Sequence, residues 1–332
     1  MATIYEVSAL AGVSLSSVSR VLNDHEHVSE KTKVKVNAAV KELGYRPSSI
    51  ARSLASSRTD CVGILVAELH GPFYGDMLTG IENELRSAGK HTIITAGHSD
   101  EKSEKDGIDF LVNRNCDALI LLVDAVSDDF LIELSKGQMP FIVLNRYIAE
   151  IQNHCFYLDN IMGGYLATKH LLEQGHKSIA YISGPLIKQD ATDRMLGHKK
   201  ALAEYNIDFQ ENLLYEGDFL TKSGREGVTY LIDNKRKFTA IACANDEMAS
   251  GAMKGARDYN LAIPEDCSFI GFDNVFFTEY LYPQLSTIHY PTKEMAKMSV
   301  QWILKNIYKK KTPTIENLFI PKLISRDSVK PA

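Results

Sequence analysis

Residues 3–23, TIYEVSALAGVSLSSVSRVLN, decide how the rest of the chain is read. Ile4, Val7 and Ala11 recur at helical spacing before Gly12, and Val18, Val21 and Leu22 do so after it. Gly most easily takes the left-handed turn between two helices packed at a steep angle. Val13 is placed to plug the corner, and Ser14 to cap the second helix. That helix carries Ser16, Ser17, Ser19 and Arg20. Hydroxyl donors and one guanidinium suit the floor and walls of a DNA major groove. The stretch predicts a helix-turn-helix; a helical hairpin with no nucleic-acid role is the alternative these residues alone leave open.

With 332 residues, 45% of them apolar, the chain can bury large cores and is expected to hold two or three domains. Its net charge of −5 is unevenly spread. Residues 1–58 hold eight Lys/Arg against five Asp/Glu, a balance of +3, and the remainder holds 29 against 37, or −8. A basic head on an acidic body suits electrostatic binding to DNA by the head alone. Cys61, Cys116, Cys155, Cys243 and Cys267 are widely spaced with no CxxC pair, which predicts buried free thiols, no metal site and a reducing compartment. The N-terminus lacks a basic-then-apolar signal pattern, and the longest apolar run, Ala118 to Val123, is too short to span a membrane. A cytoplasmic protein without a membrane partner is expected.

Beyond Asn23, Ser29 is placed to cap a third helix, Glu30 to Leu43, whose expected apolar side is Val34, Ala38, Val40 and Leu43; Gly44 ends it. Tyr45-Arg46-Pro47 breaks the helical pattern, because Pro steers the residue before it away from helical geometry. Ser48 to Ser56 then reads as a helix too short to persist alone in water. From Cys61 onward strands alternate with helices: CVGILVA, 73–89, HTIITA, 101–114, DALILLV, 128–137, FIVLN. A second series starts near Cys155: CFYLD, 161–175, SIAYISG, 191–205, 213–216, 222–235, TAIAC, 245–260, CSFIGFD. STIHYP, helix 293–310 and the closing strands NLFI and KLIS are expected to cross back between two lobes. Doubly wound sheets of this kind bind ligands at the carboxyl ends of their strands.

The chain resembles the LacI/GalR family of bacterial transcription regulators along essentially its whole length, most closely its galactose-repressor branch. The motifs that carry the likeness are AGVSLSSVSRVLN, GYRPSSIARSLA, DNIMGGYLATKHLLEQGHKSIAYISGP, DATDRMLGHKKAL, FTAIACANDEMASGAMK and SFIGFDN. The resemblance implies an α/β fold class: a small all-α helix-turn-helix head plus two doubly wound α/β lobes of periplasmic-binding-protein type. Domains are expected at 1–46 (helix-turn-helix), 47–58 (hinge helix and linker) and 59–332 (effector binding and dimerisation). Within the last, lobe 1 is expected at about 59–157 and 289–317, and lobe 2 at about 158–288 and 318–332.

The same resemblance implies roles for named residues. Leu15, Ser16 and Arg20 match the base-reading positions of the recognition helix, and an Arg there suits bidentate contact with guanine. Tyr5, Ser14, Ser17, Ser19, Asn23, Ser29 and Thr32 match phosphate contacts, which fix register without reading sequence. In the hinge, Leu54 matches the residue that wedges into the minor groove, with Ala51 beside it. Ser48 departs from the Asn common after the hinge Pro, which weakens or moves that contact. Effector contacts map onto Phe73, Tyr74, Asn145, Asp159, Arg194, Phe219, Asn245 and Asp273. Amides and carboxylates with one Arg and flanking aromatics are what a sugar's hydroxyls and apolar face require.

Catalytic readings find no support. The sequence has no G-x-S-x-G, H-E-x-x-H, P-loop or post-strand G-x-G-x-x-G, and its ten His show no metal spacing. The expected function is a DNA-binding transcription regulator, a repressor in most of the family, with no cofactor. Its expected partners are a near-palindromic double-stranded operator, a small sugar-like effector (galactose or a β-glucoside) and a second copy of itself. A sugar-binding receptor module without a DNA role is the competing expectation.

Overall fold

A computed structural model describes residues 2–22, 27–45 and 58–332. Contacts divide the chain into two units, Met1–Asp60 and Cys61–Ala332.

In the first unit, α1 (Ile4–Ala11) is opened by a capping box. The Thr3 hydroxyl accepts from the Glu6 N–H, and the Glu6 carboxylate accepts from the Thr3 N–H at 2.7 Å. Gly12, at φ +63°, ends it in the left-handed conformation that an L side chain resists. The turn leads to α2 (Leu15–Leu22), where Ser14 Oγ accepts from the Ser17 N–H at 3.2 Å. Ser29 caps α3 (Glu30–Leu43) in the same manner. The three helices meet on Val7, Ala11, Val18, Val21, Val36 and Ala39, with Val13 packed at the corner. The buried face of α3 differs from the expected one. Positions 36, 39, 40 and 43 form the stripe that meets α1 and α2, whereas Val34 and Ala38 lie on the opposite side of the helix, exposed.

The second unit has two parallel sheets. The first runs in the order β11-β5-β4-β3-β1-β2. Its strands are β1 (Cys61–Val66), β2 (His91–Ala96), β3 (Ala118–Leu121), β4 (Phe141–Leu144), β5 (Cys155–Leu158) and β11 (Leu318–Phe319). The second runs β7-β6-β8-β9, from β6 (Ile179–Ser183), β7 (Leu214–Glu216), β8 (Ala240–Cys243) and β9 (Ser268–Ile270). The central strands are buried at every position and apolar but for Ser183 at the end of β6, as burial on both faces demands. The connecting helices are α4 (Pro72–Ser87), α5 (Glu101–Asn113), α6 (Asp128–Ser135), α7 (Asn160–Glu173), α8 (Gln189–Glu204), α9 (Thr221–Asp233), α10 (Asp246–Asp258) and α11 (Thr292–Asn306). Each lies within four residues of its expected ends.

The chain crosses between lobes after β5, again around β10 (Thr287–His289), and a third time before β12 (Lys322–Ile324), which pairs antiparallel with β10. The last crossing falls later than expected. Leu318 and Phe319, assigned by sequence to lobe 2, pair in parallel with Tyr157 and Leu158 and so extend the sheet of lobe 1. Among the described residues no helix is long and apolar enough to cross a membrane.

Candidate functional site: a recognition helix and an interlobe cleft

In the first unit the outer face of α2 carries Leu15, Ser16 and Arg20, all exposed, opposite the buried Val18 and Val21. Ser14 Oγ is within 2.8 Å of Ser16 Oγ and 2.9 Å of Ser17 Oγ, forming a hydroxyl cluster at the start of that helix. Tyr5 is 69% exposed, and the Ser29 and Thr32 hydroxyls lie 2.9 Å apart at the start of α3. Ser19 is half-buried. Asn23, Ala51 and Leu54 lie outside the described residues.

In the second unit a cleft of about 100 Å³ opens between the lobes. Strand ends and the first turns of helices supply its polar groups. Asn145 follows β4 at φ +60°, a conformation its short amide tolerates, and its Nδ2 donates to Asp190 Oδ2 at 3.0 Å. Tyr290 Oη donates to Asn145 Oδ1 at 2.9 Å. Asn245 caps α10 by accepting from the Met248 N–H, and its Nδ2 holds the Phe219 carbonyl at 2.9 Å. Phe219 itself sits at φ +70°, so this bond helps to hold a strained residue in place. Phe73, on the first turn of α4, meets Tyr290 edge-on with centroids 5.0 Å apart, and Tyr74 lies beside it.

Arg194 is the cation on the cleft floor, and its side chain is almost wholly buried. Nε donates to Asn160 Oδ1 at 2.8 Å and Nη1 to the Ala244 carbonyl at 2.6 Å. The guanidinium lies 3.8 Å from the Phe272 ring centroid and 5.8 Å from that of Phe219. Backbone contact fixes the helix it stands on. A Cβ on Gly164 of α7 would come within 1.9 Å of the Arg194 carbonyl oxygen, and one on Gly197 of α8 within 2.1 Å of the Ile161 oxygen. Asp273, buried at φ +109°, lies 3.5 Å from Arg194 Nη1 through an oxygen, Oδ1, that accepts no hydrogen bond among the described residues. Burial raises its carboxyl well above the usual range, Arg194 opposes this, and Asp246 and Asp190 add to it.

Residues 3–48 match the family of bacterial regulatory proteins, lacI family, and residues 168–329 match the periplasmic binding protein-like domain. The chain is 37% identical to the HTH-type transcriptional regulator GalR of Salmonella typhimurium strain SL1344, over 99% of this chain and 96% of that protein. The chain belongs to the lacI family. It is also 33% identical to the HTH-type transcriptional repressor PurR of Proteus mirabilis, over 99% of this chain and 97% of that one. Its fold matches the Lac repressor dimer bound to operator and the anti-inducer ONPF, with a TM-score of 0.87 and 26% identity over 99% of each chain. The relatives are transcription regulators, and this lacI-family chain is a DNA-binding regulator rather than an enzyme.

In this lacI-family cleft the structure brings together Phe73, Tyr74, Asn145, Arg194, Phe219, Asn245 and Asp273. Asp159 stands apart: its carboxylate accepts from the Met162 N–H at 2.8 Å and caps α7, so that oxygen is committed to the helix. Sequence reasoning missed other cleft residues, among them Glu68, Asp124, Lys188, Asp190 and Glu247. Asp190 carried a usable signal, since it precedes Arg194 by one helical turn. Asp124 and Lys188 meet from different lobes, 64 residues apart, and carried none.

Proposed function

We propose that this regulator is a homodimeric repressor whose hold on a near-palindromic operator is set by a small sugar, galactose or a β-glucoside, bound in the interlobe cleft. The observation that carries the sugar reading is an unsatisfied buried acceptor, Asp273 Oδ1, beside an Arg194 whose Nε and Nη1 are already bonded, in a cleft lined by the aromatic rings of Phe73 and Phe219. A pyranose offers hydroxyl donors for such a carboxylate and an apolar C–H face for such rings. The resemblance of the chain's motifs to the galactose-repressor branch of the family favours galactose.

On DNA, Leu15, Ser16 and Arg20 read bases, while Tyr5, Ser14, Ser17, Ser19, Asn23, Ser29 and Thr32 hold phosphates. Leu54 and Ala51 of the hinge enter the minor groove. Sugar binding changes the relative rotation of the lobes and shifts the hinge between DNA-competent and DNA-incompetent populations. Two copies present two heads to a two-fold operator. A thermal-shift screen with galactose, glucose and aryl β-glucosides tests the reading. A saturable rise in melting temperature with at least one of them is expected; no shift with any sugar contradicts it.

A further inference from the structure

Beside the inner cleft lies a second cavity of about 290 Å³, lined in part by Arg146, Ile187, Gln189 and Thr192. The two cavities share four side chains, and these form two pairs that cross from lobe to lobe. One is Asn145 of lobe 1 with Asp190 of lobe 2, at 3.0 Å. The other is Asp124 of lobe 1 with Lys188 of lobe 2, whose Nζ stands 2.7 Å from Asp124 Oδ2. Lys188 Nζ also donates to Ser99 Oγ at 3.0 Å, and Ser99 Oγ donates to the same Asp124 oxygen at 3.2 Å. The side chains of Lys188 and Asp124 are only 14% and 25% exposed, so water screens their attraction less than at an open surface.

Two features set this triangle apart from an incidental surface pair. Ser99 reaches it from a turn in which His98 and Ser99 both take positive φ, +55° and +50°, a backbone conformation that non-glycine residues adopt at a cost. The pair also stands where the two cavities meet, as a wall between them.

Resting on the sugar reading of the cleft, we infer that the Lys188–Asp124 pair is a partition that sets the size of the effector. It leaves the inner cleft to a single pyranose and admits the second ring of a disaccharide into the outer cavity only when it opens. A single ring seated on Phe73, Phe219 and Asp273 leaves the triangle intact. A disaccharide whose second unit projects toward Arg146 and Gln189 must separate an ammonium from two oxygen acceptors. Charge-assisted bonds of this kind favour the smaller ligand by about tenfold or more. Lys188 and Asp124 are thus specificity-determining residues.

The test is calorimetric titration of the full chain with two matched pairs, galactose against lactose and glucose against cellobiose, in which each disaccharide carries the monosaccharide as its terminal ring. In the unmodified chain the single ring of whichever pair binds is expected to bind at least about tenfold tighter. Replacing both residues, D124S/K188S, opens the wall, and the ratio is expected to fall to about threefold or below. The milder Asp124→Asn keeps the shape but weakens the ion pair, and is expected to move the ratio the same way; it serves if the double variant fails to melt cooperatively. A disaccharide that binds the unmodified chain as tightly as its monosaccharide overturns the partition, as does an unchanged ratio in a folded variant. Sugar binding with an unchanged ratio leaves the cleft a sugar site and removes only the partition. No binding by any of the four sugars removes both.

Discussion

Arg194 and Asp273 face one another at 3.5 Å on the cleft floor without a hydrogen bond between them. The guanidinium directs Nε to Asn160 and Nη1 to the Ala244 carbonyl, and the carboxyl group keeps Oδ1 unsatisfied in a buried place. A buried acceptor without a donor is costly, and a ligand hydroxyl that arrives there relieves that cost.

Asp273→Asn keeps the shape of the side chain and removes its charge. Loss of a charge-assisted bond to a sugar hydroxyl corresponds to about 1.5–3 kcal/mol, so sugar affinity is expected to fall about ten- to a hundredfold. Stability of the sugar-free chain should hold or rise, because burial disfavours the charged Asp273 carboxyl and Arg194 only partly opposes this. Calorimetry and urea unfolding check the two halves; undiminished affinity places the ligand elsewhere.

Gly164→Ala tests how Arg194 is placed. The added Cβ would collide with the Arg194 carbonyl, so α7 and α8 must separate. Overpacking of this kind destabilises by about 1–3 kcal/mol, and sugar affinity should fall with it because the guanidinium moves. A lowered urea midpoint with unchanged sugar affinity would show that Arg194 does not position the ligand.

Arg20→Ala is expected to relax preference at one base pair in each half-site, by about 1–3 kcal/mol of discrimination, while leaving the other positions intact. Selection from random duplex DNA with both proteins provides the comparison. An unchanged binding profile assigns Arg20 to phosphate contact or to none.

His198 supplies a pH prediction. It is buried on α8, 2.8 Å from Thr168 Oγ1 and stacked on Tyr181, and burial pushes its imidazole down to about 3. The unfolded chain binds a proton near pH 6.5 that the folded chain refuses until about pH 3, so this stabilisation is complete above 6.5 and is lost as pH falls toward 3. The stability of the unmodified chain relative to His198→Gln is therefore expected to decline from pH 7 to pH 4. Asp246, raised by burial to about 7, contributes stability that is lost as pH rises through 7, and it acts equally in both proteins. A flat difference across this range contradicts the assignment.

The periodic parts of the molecule were legible in the sequence for a physical reason. A strand such as Ala118–Leu121, buried on both faces, must be continuously apolar, and Gly12 and Gly44 mark turns that other residues resist. What was hidden depends on partners distant in the chain. Val34 looked like core because it is apolar, yet the face of α3 is chosen by where α1 and α2 lie. Asp159 matches an effector contact by resemblance, yet the N-terminus of α7 claims one of its carboxylate oxygens. Leu318 joins the first sheet through a pairing with Tyr157 that no local pattern encodes. The Lys188–Asp124 pair likewise exists only once both lobes have folded.

A sugar in the cleft is expected to govern the hold of the head on DNA. Fluorescence-anisotropy titration of the full chain on the duplex recovered by selection, with and without the sugar that binds by calorimetry, tests it most directly. A near-palindromic duplex, binding that weakens steeply with salt, and a change in Kd of at least about tenfold on adding saturating sugar are expected. The same Kd with and without saturating sugar would contradict it.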